Sequence, residues 1–213
     1  MMGSITKHAP RIGVLALQGA FIEHERMLTA LGAECVELRQ LKDMEDGLDG
    51  LVLPGGESSV QVKLLKELNM YAPLEQLIHD GLPVLATCAG LILLAEDISN
   101  DSRRGFASLP VRVQRNAYGR QLGSFTITEE FKGLGPIVMK FIRAPRIEKL
   151  LSDEAEVLSR IGDNITAVRF RNQIAMSFHP ELGTDMGVHA MFLNIVSEYL
   201  ESKKNSNFLT QGA

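Results

Sequence analysis

Cysteine is scarce in this chain: 213 residues contain only Cys35 and Cys88. One disulfide is arithmetically possible, but a chain of this length folds without one. The small disulfide-stapled secreted class is therefore set aside, and a thiol-keeping compartment is expected. A strong excess of one charge is also lacking. The 22 basic and 26 acidic residues leave a net charge of −4, and the basic pairs Arg103-Arg104 and Lys203-Lys204 read as solvated surface. A general nucleic-acid binder needs clustered cations to displace counterions from phosphates, so that class is excluded. Long apolar runs are missing as well. The longest, residues 84–95, is broken by Thr87, Cys88 and Gly90 and falls short of the roughly 18–20 residues that span a bilayer. Residues 1–10 are polar with no apolar signal core, so a cytoplasmic protein with no membrane association is expected. His8, His24, His79 and His189 are scattered without metal-ligand spacing, and neither a metal nor another cofactor is expected.

What is present is an ordinary globular composition, 45% hydrophobic and 23% charged, enough for a substantial core. The first half alternates short apolar runs with amphipathic stretches. Strands are predicted at 12–17, 34–38, 50–53 and 83–87, with helices at 21–31, 60–68, 73–79 and 89–95. Near-continuous apolar strands interleaved with helices mean βαβ units and a parallel sheet covered on both faces. The second half gives short strand-like runs at 111–115, 125–128, 137–142, 157–160, 166–170 and 174–178, a turn near 147–151, and a closing helix at 188–200. These read as antiparallel additions to the sheet. One domain over 11–201 is expected, flanked by polar tails at 1–10 and 202–213, the second of which should fray.

Three segments carry chemistry. In Pro83-Val-Leu-Ala-Thr-Cys-Ala-Gly90 a buried-type strand runs into a helix through small residues. Ligand crevices of parallel sheets lie beyond the carboxyl ends of the strands, so a sharp turn there lifts Cys88 into the crevice, and the helix N-terminus favours its thiolate. The alternative is a small buried core cysteine, the reading that also fits Cys35. Leu53-Pro-Gly-Gly-Glu-Ser58 ends another strand at the same edge. Gly56 N–H, with that of Ala89, suits an oxyanion hole; the plain alternative is a strand-to-helix turn. In Phe178-His-Pro-Glu181, His179 and Glu181 are two apart, and in extended backbone they share a side, so Glu181 can orient the imidazole toward the thiol. A surface histidine at a strand end is the alternative.

With these three segments together, the chain resembles the class I, triad-type glutamine amidotransferases. Further segments narrow the resemblance to the glutaminase subunits of pyridoxal 5′-phosphate synthase: Gly13-Val-Leu-Ala-Leu-Gln-Gly-Ala20 followed by Glu23-His24, Arg115-Asn-Ala-Tyr-Gly-Arg-Gln121, and Phe141-Ile-Arg-Ala-Pro145. It covers roughly residues 11–200. It implies a flavodoxin-like, three-layer αβα sandwich and catalysis by Cys88, His179 and Glu181. It also implies glutamine held by Gly56, Glu57, Ser58, Arg115, Ile142 and Arg143, with no cofactor. The implied partner is a (β/α)₈-barrel synthase subunit in a large hetero-oligomer. The physics of a zwitterionic substrate agrees: Glu57 suits its ammonium, and the guanidinium fork of Arg115 suits its carboxylate, while surface ion pairing is the plain reading of both arginines. Gln18-Gly19 follows the first strand, and Gly19 leaves a peptide free to reorient when a partner docks. A subunit serving a different synthase, and a docking module without catalysis, are the rival readings.

Overall fold

The structure is a computed structural model, and it describes residues 9–102, 104–115, 117 and 124–210, with side chains to 205. Strands β1 (Arg11–Leu15), β2 (Glu34–Leu38), β3 (Gly50–Leu53) and β4 (Val84–Thr87) form where the apolar runs predict them, within two residues. Helices α1 (Phe21–Ala30), α2 (Ser58–Glu67), α3 (Tyr71–His79) and α4 (Ala89–Leu94) follow them. Gly32, at φ +89°, closes the end of α1 in a left-handed conformation that costs glycine little.

The second half contributes β5 (Ala95–Ile98), β6 (Leu109–Gln114), β7 (Ser124–Phe131), β8 (Gly135–Ile142), β9 (Arg146–Leu150), β10 (Glu156–Ile161), β11 (Asn164–Phe170) and β12 (Gln173–Met176). Helix α5 (Gly187–Thr210) ends it. The sheet path runs β2-β1-β3-β4-β12-β11-β10-β7-β8. Its first five strands are mutually parallel, in the 2-1-3-4-5 order of flavodoxin-like folds. From β12 onward the pairing along this path is antiparallel. The expected mixed α/β class, a mostly parallel centre with antiparallel additions, is what the chain adopts.

The continuous apolar strands divide between two cores because successive side chains point to opposite faces. Leu51, Leu53, Val84 and Ala86 join Leu65 of α2, Leu74 of α3 and Leu91 of α4 on one face. Ile12, Val14, Val52 and Leu85 join Leu28 of α1 and Val188, Phe192 and Val196 of α5 on the other. Two helical layers thus sandwich the sheet, and the carboxyl ends of β3, β4 and β12 open on one edge.

Three expectations fail locally. Residues 147–151, read as a turn, belong to β9, which pairs β6 and β11; the charged Glu148 and Lys149 face outward and disguise a strand whose Ile147 is buried. Ala95, read as the last residue of the helix over 89–95, instead opens β5 beside β6. The closing helix expected at 188–200 continues as α5 to Thr210. Lysine is a good helix former, and the Lys203 ammonium lies 4.5 Å from the Tyr199 ring one turn back. The expected N-terminal tail lies outside the described residues up to residue 8. Among the described residues no helix is long and apolar enough to cross a membrane.

Candidate active site

Strand β4 ends at Thr87, and the chain then turns through Cys88 at φ +48°, ψ −97° into α4. A non-glycine residue in that region costs about 1–3 kcal/mol and persists only where its surroundings hold it. Here the Cys88 N–H donates to Met176 O of β12 at 2.8 Å. Gly90 lies against the neighbouring strand end so closely that a Cβ there would stand 2.0 Å from Leu53 O. The expected strained strand-to-helix turn is present, although α4 spans only 6 residues, which limits the dipole it offers. Both cysteines are free thiols. Cys35, half-buried, lies on β2 at the sheet edge and packs against the core.

His179 sits just beyond β12, its N–H donating to Lys140 O of β8 at 2.8 Å. Its Nδ1 lies 2.7 Å from Glu181 Oε1, and both side chains are buried. The pairing arises differently from the expectation. Pro180–Leu182 is a 3₁₀ turn, so Glu181 folds back onto the ring instead of sharing the side of an extended strand. Burial opposes a charged ring, but hydrogen bonds with the Cys88 sulfur and with Glu181, and the charges on both, raise the His179 pKa to about 10. Glu181 is pushed up by burial, yet His24 and the His179 hydrogen bond leave it below the usual carboxylate range. Cys88 Sγ also lies 3.9 Å from Ile142 O. Cys88, His179 and Glu181 are therefore brought together at one edge of the sheet, with an imidazolium favoured on His179.

The Gly-Gly segment abuts this group. A Cβ on Gly55 would lie 2.2 Å from His179 Cε1, so only glycine lets the backbone meet the ring face. Gly56 is at φ +156°, and a Cβ there would meet Gln18 Oε1 at 2.4 Å. The same Gln18 oxygen accepts from Glu57 N–H at 2.6 Å, and Ala20 N–H donates to Gly55 O at 3.3 Å. The turn after β1 is thus the cradle of the Pro54-Gly-Gly-Glu segment. Ala89 and the buried Ser58 begin α4 and α2 beside it.

The residues expected to hold glutamine fall into two groups. Glu57 caps α2, accepting from Ser59 N–H at 3.3 Å, and pairs with Arg115 Nη2 at 2.6 Å. Arg115 Nη1 also bonds Asp101. Ile142 and Arg143 stand at the exposed end of β8, and Arg143 takes φ +43°. Most of the Arg-Asn-Ala-Tyr-Gly-Arg-Gln stretch, residues 116 and 118–121, lies outside the described residues.

Sequence reasoning gave neither His24, met only in a segment that carries the resemblance, nor His189 a role in the site, and treated both as scattered. The structure buries both behind Glu181. His24 Nε2 is 3.5 Å from Glu181 Oε2 and 3.2 Å from Thr87 Oγ1, and its Nδ1 is 2.9 Å from His189 Nε2. The legible signal was a histidine on the apolar face of α1, three and four residues before the buried Met27 and Leu28. Among the described residues no group of three or more His, Cys, Asp or Glu is placed to hold a metal ion.

This geometry can be set beside known proteins. Residues 14–198 match the model of the SNO glutamine amidotransferase family. The chain is 59% identical over 187 residues to the pyridoxal 5′-phosphate synthase subunit PdxT of Desulfitobacterium hafniense, covering 88% of this chain and 94% of that one. It is 51% identical to the subunit of the same name from Methanocorpusculum labreanum, over 88% and 98% of the two chains. A crystal structure of a glutamine amidotransferase superposes with a TM-score of 0.82 at 40% identity, covering 87% of this chain and 98% of that chain. The strand-to-helix cysteine, the buried His-Glu pair and the matched length lead to one conclusion: this chain belongs to the SNO glutamine amidotransferase family.

Proposed function

We propose that the chain is the glutaminase subunit of a pyridoxal 5′-phosphate synthase, hydrolysing glutamine to glutamate and ammonia and passing the ammonia to a synthase subunit. The observation that carries the chemistry is Cys88 on its strained turn beside His179, whose Nδ1 lies 2.7 Å from the buried Glu181. The family membership and the PdxT relatives support the destination of the ammonia.

In this reading the Cys88 sulfur attacks the side-chain amide carbon of glutamine. The carbonyl oxygen takes up the negative charge, facing the N–H groups of Gly56 and Ala89. As the C–N bond breaks, His179 gives its proton to the leaving nitrogen, which departs as ammonia, and a γ-glutamyl thioester remains. Neutral His179 then takes a proton from water. The hydroxide adds to the thioester, the C–S bond breaks, and glutamate leaves with the thiol restored. Glu181 holds the ring throughout. Glu57 and Arg115, paired with each other in the structure, exchange that bond for the ammonium and carboxylate of glutamine, alongside Ser58, Ile142 and Arg143.

The partner in this proposal is a (β/α)₈-barrel subunit within a large hetero-oligomer. Gly19 lies at φ +104° with space for a Cβ blocked by Gly55 O at 1.7 Å, so the β1 turn rests directly on the oxyanion segment. Docking next to that turn would tune the site, and activity is expected to rise when the barrel subunit is added. The decisive experiment measures glutamate and ammonia formation by wild type and Cys88→Ala, with and without the barrel subunit. A fall of about 10⁴-fold or more is expected for the variant. Continued hydrolysis by Cys88→Ala would refute the catalytic assignment, and a partner that yields no pyridoxal phosphate would refute the pathway.

A further inference from the structure

A triad carboxylate has two oxygens, and the second one sets how firmly the first is aimed. In this site Glu181 Oε1 takes the His179 bond. Oε2 is buried with no hydrogen bond among the described residues, and His24 Nε2 stands 3.5 Å from it. His24 is itself enclosed on every side. Its Nδ1 faces His189 Nε2 of α5 at 2.9 Å, and its Nε2 also faces Thr87 Oγ1 of β4 at 3.2 Å. Thr87 Oγ1 in turn accepts from Gly55 N–H at 3.0 Å. One side chain thus touches the carboxylate of the triad and, through a single hydroxyl, the Gly-Gly segment beside it.

The proton positions follow from this arrangement. A buried imidazole carries one proton when neutral, on either nitrogen. If His24 carried it on Nδ1, a bare Nε2 lone pair would face a carboxylate oxygen. With the proton of His189 on Nε2, the bond across 2.9 Å makes His24 Nδ1 the acceptor and places the His24 proton on Nε2, toward Glu181 and Thr87. Both rings are held neutral. Burial lowers the His24 pKa, with Glu181 opposing and His179 assisting, and burial with His24 brings His189 to about 3.

We propose that His24 is a positioning residue for the triad, its Nε2–H supporting Glu181 Oε2 so that Oε1 stays ionised and aimed at His179, with His189 fixing the tautomer. This rests on the catalytic reading given above. The groups facing Glu181 are His179, His24 from α1 and His189 from α5; those facing His24 are Glu23 on its own helix, Glu181, His179 and His189. Without the Nε2–H, the carboxylate gains a proton more readily, so the acid limb of the activity profile moves to higher pH.

The test compares His24→Leu with His24→Gln, whose amide nitrogen reaches the Nε2 position, in the full chain with its synthase subunit present. For His24→Leu, kcat for glutamine hydrolysis is expected to fall roughly 10- to 100-fold, the scale of a polar contact with a buried charge. KM should hold, and the acid limb should shift upward. His24→Gln should recover most of kcat and return the limb toward wild type. His189→Leu should shift the limb in the same direction by less, and it keeps the test readable if His24→Leu does not fold. A wild-type limb and kcat in His24→Leu, or His24→Gln as impaired as His24→Leu, or a change in KM alone, would overturn the proposal. Where His24→Leu does not fold, a wild-type limb in His189→Leu would do the same. Cys88→Ala separates the two readings: if it is inactive while His24→Leu behaves as wild type, only the positioning role falls.

Discussion

The parallel and antiparallel parts of the sheet are built from different sequence textures, and they do different work. In β3, β4 and β12 every residue is buried, because helices cover both faces. In β7 the exposure alternates along the strand, and in β8 the core-facing Ile137, Met139 and Phe141 alternate with more exposed neighbours. The parallel part has no freedom at its strand ends. Cys88, Gly55 and His179 are held by backbone bonds and by contacts that tolerate no added carbon. The antiparallel part supplies the rim, Ile142 and Arg143, on an exposed strand end, stiffened by Phe141 stacked on Phe125 at 4.6 Å between ring centres. The proposed nucleophile and its histidine thus sit where the backbone is overdetermined, and Ile142 and Arg143, proposed to meet the substrate, sit where side chains remain exposed.

The sharpest way to break this comparison is by deletion in each part. Leu85→Ala in β4 empties a fully buried site and is expected to cost about 2–5 kcal/mol, whereas Thr126→Ala, exposed on β7, should stay within about 0.5 kcal/mol. Urea unfolding of both variants reads this directly, and equal costs would erase the distinction.

Next comes the site itself. Gly55→Ala would place a methyl 2.2 Å from His179 Cε1, forcing the ring to move. A displacement of this kind costs on the order of 10²-fold in rate. Steady-state kinetics should show it in kcat, with a smaller loss of unfolding free energy than Leu85→Ala. A fully active Gly55→Ala would mean that the ring tolerates misplacement.

The charge on His179 gives a pH test. Its folded pKa of about 10 lies above the ordinary 6.5, so the folded state binds the proton more tightly. That stabilisation is fully present below pH 6.5 and is lost as the pH rises through about 10. Wild type should therefore lose stability relative to His179→Asn across this window. Parallel curves for the two proteins would remove the imidazolium from the ground state.

The smallest effect belongs to the rim. Glu57→Gln is expected to raise KM for glutamine about tenfold through loss of a charged hydrogen bond. Because its ion pair with Arg115 leaves Glu57 half exposed, stability should change by less than about 1 kcal/mol. An unchanged KM would return Glu57 to the role of a helix cap.

The amino-acid sequence alone determined the alternation of strands and helices, because continuous apolar strands and amphipathic helices follow from local periodicity. It also located Cys88, Gly55-Gly56 and His179-Pro-Glu181, since each occupies a turn at the end of a strand, where small residues and polar groups interrupt an apolar run. The strand β9 escaped because its two outward charges resemble a turn until β6 and β11 lie beside it. Tertiary structure alone decided the rest. His24 and His189 are 165 residues apart and meet only because α1 and α5 pack on the same face of the sheet. Arg115 reaches Glu57 across 58 residues, which no local pattern encodes. Local physics chose the residues that can react; the packing of distant helices decided which groups stand behind them.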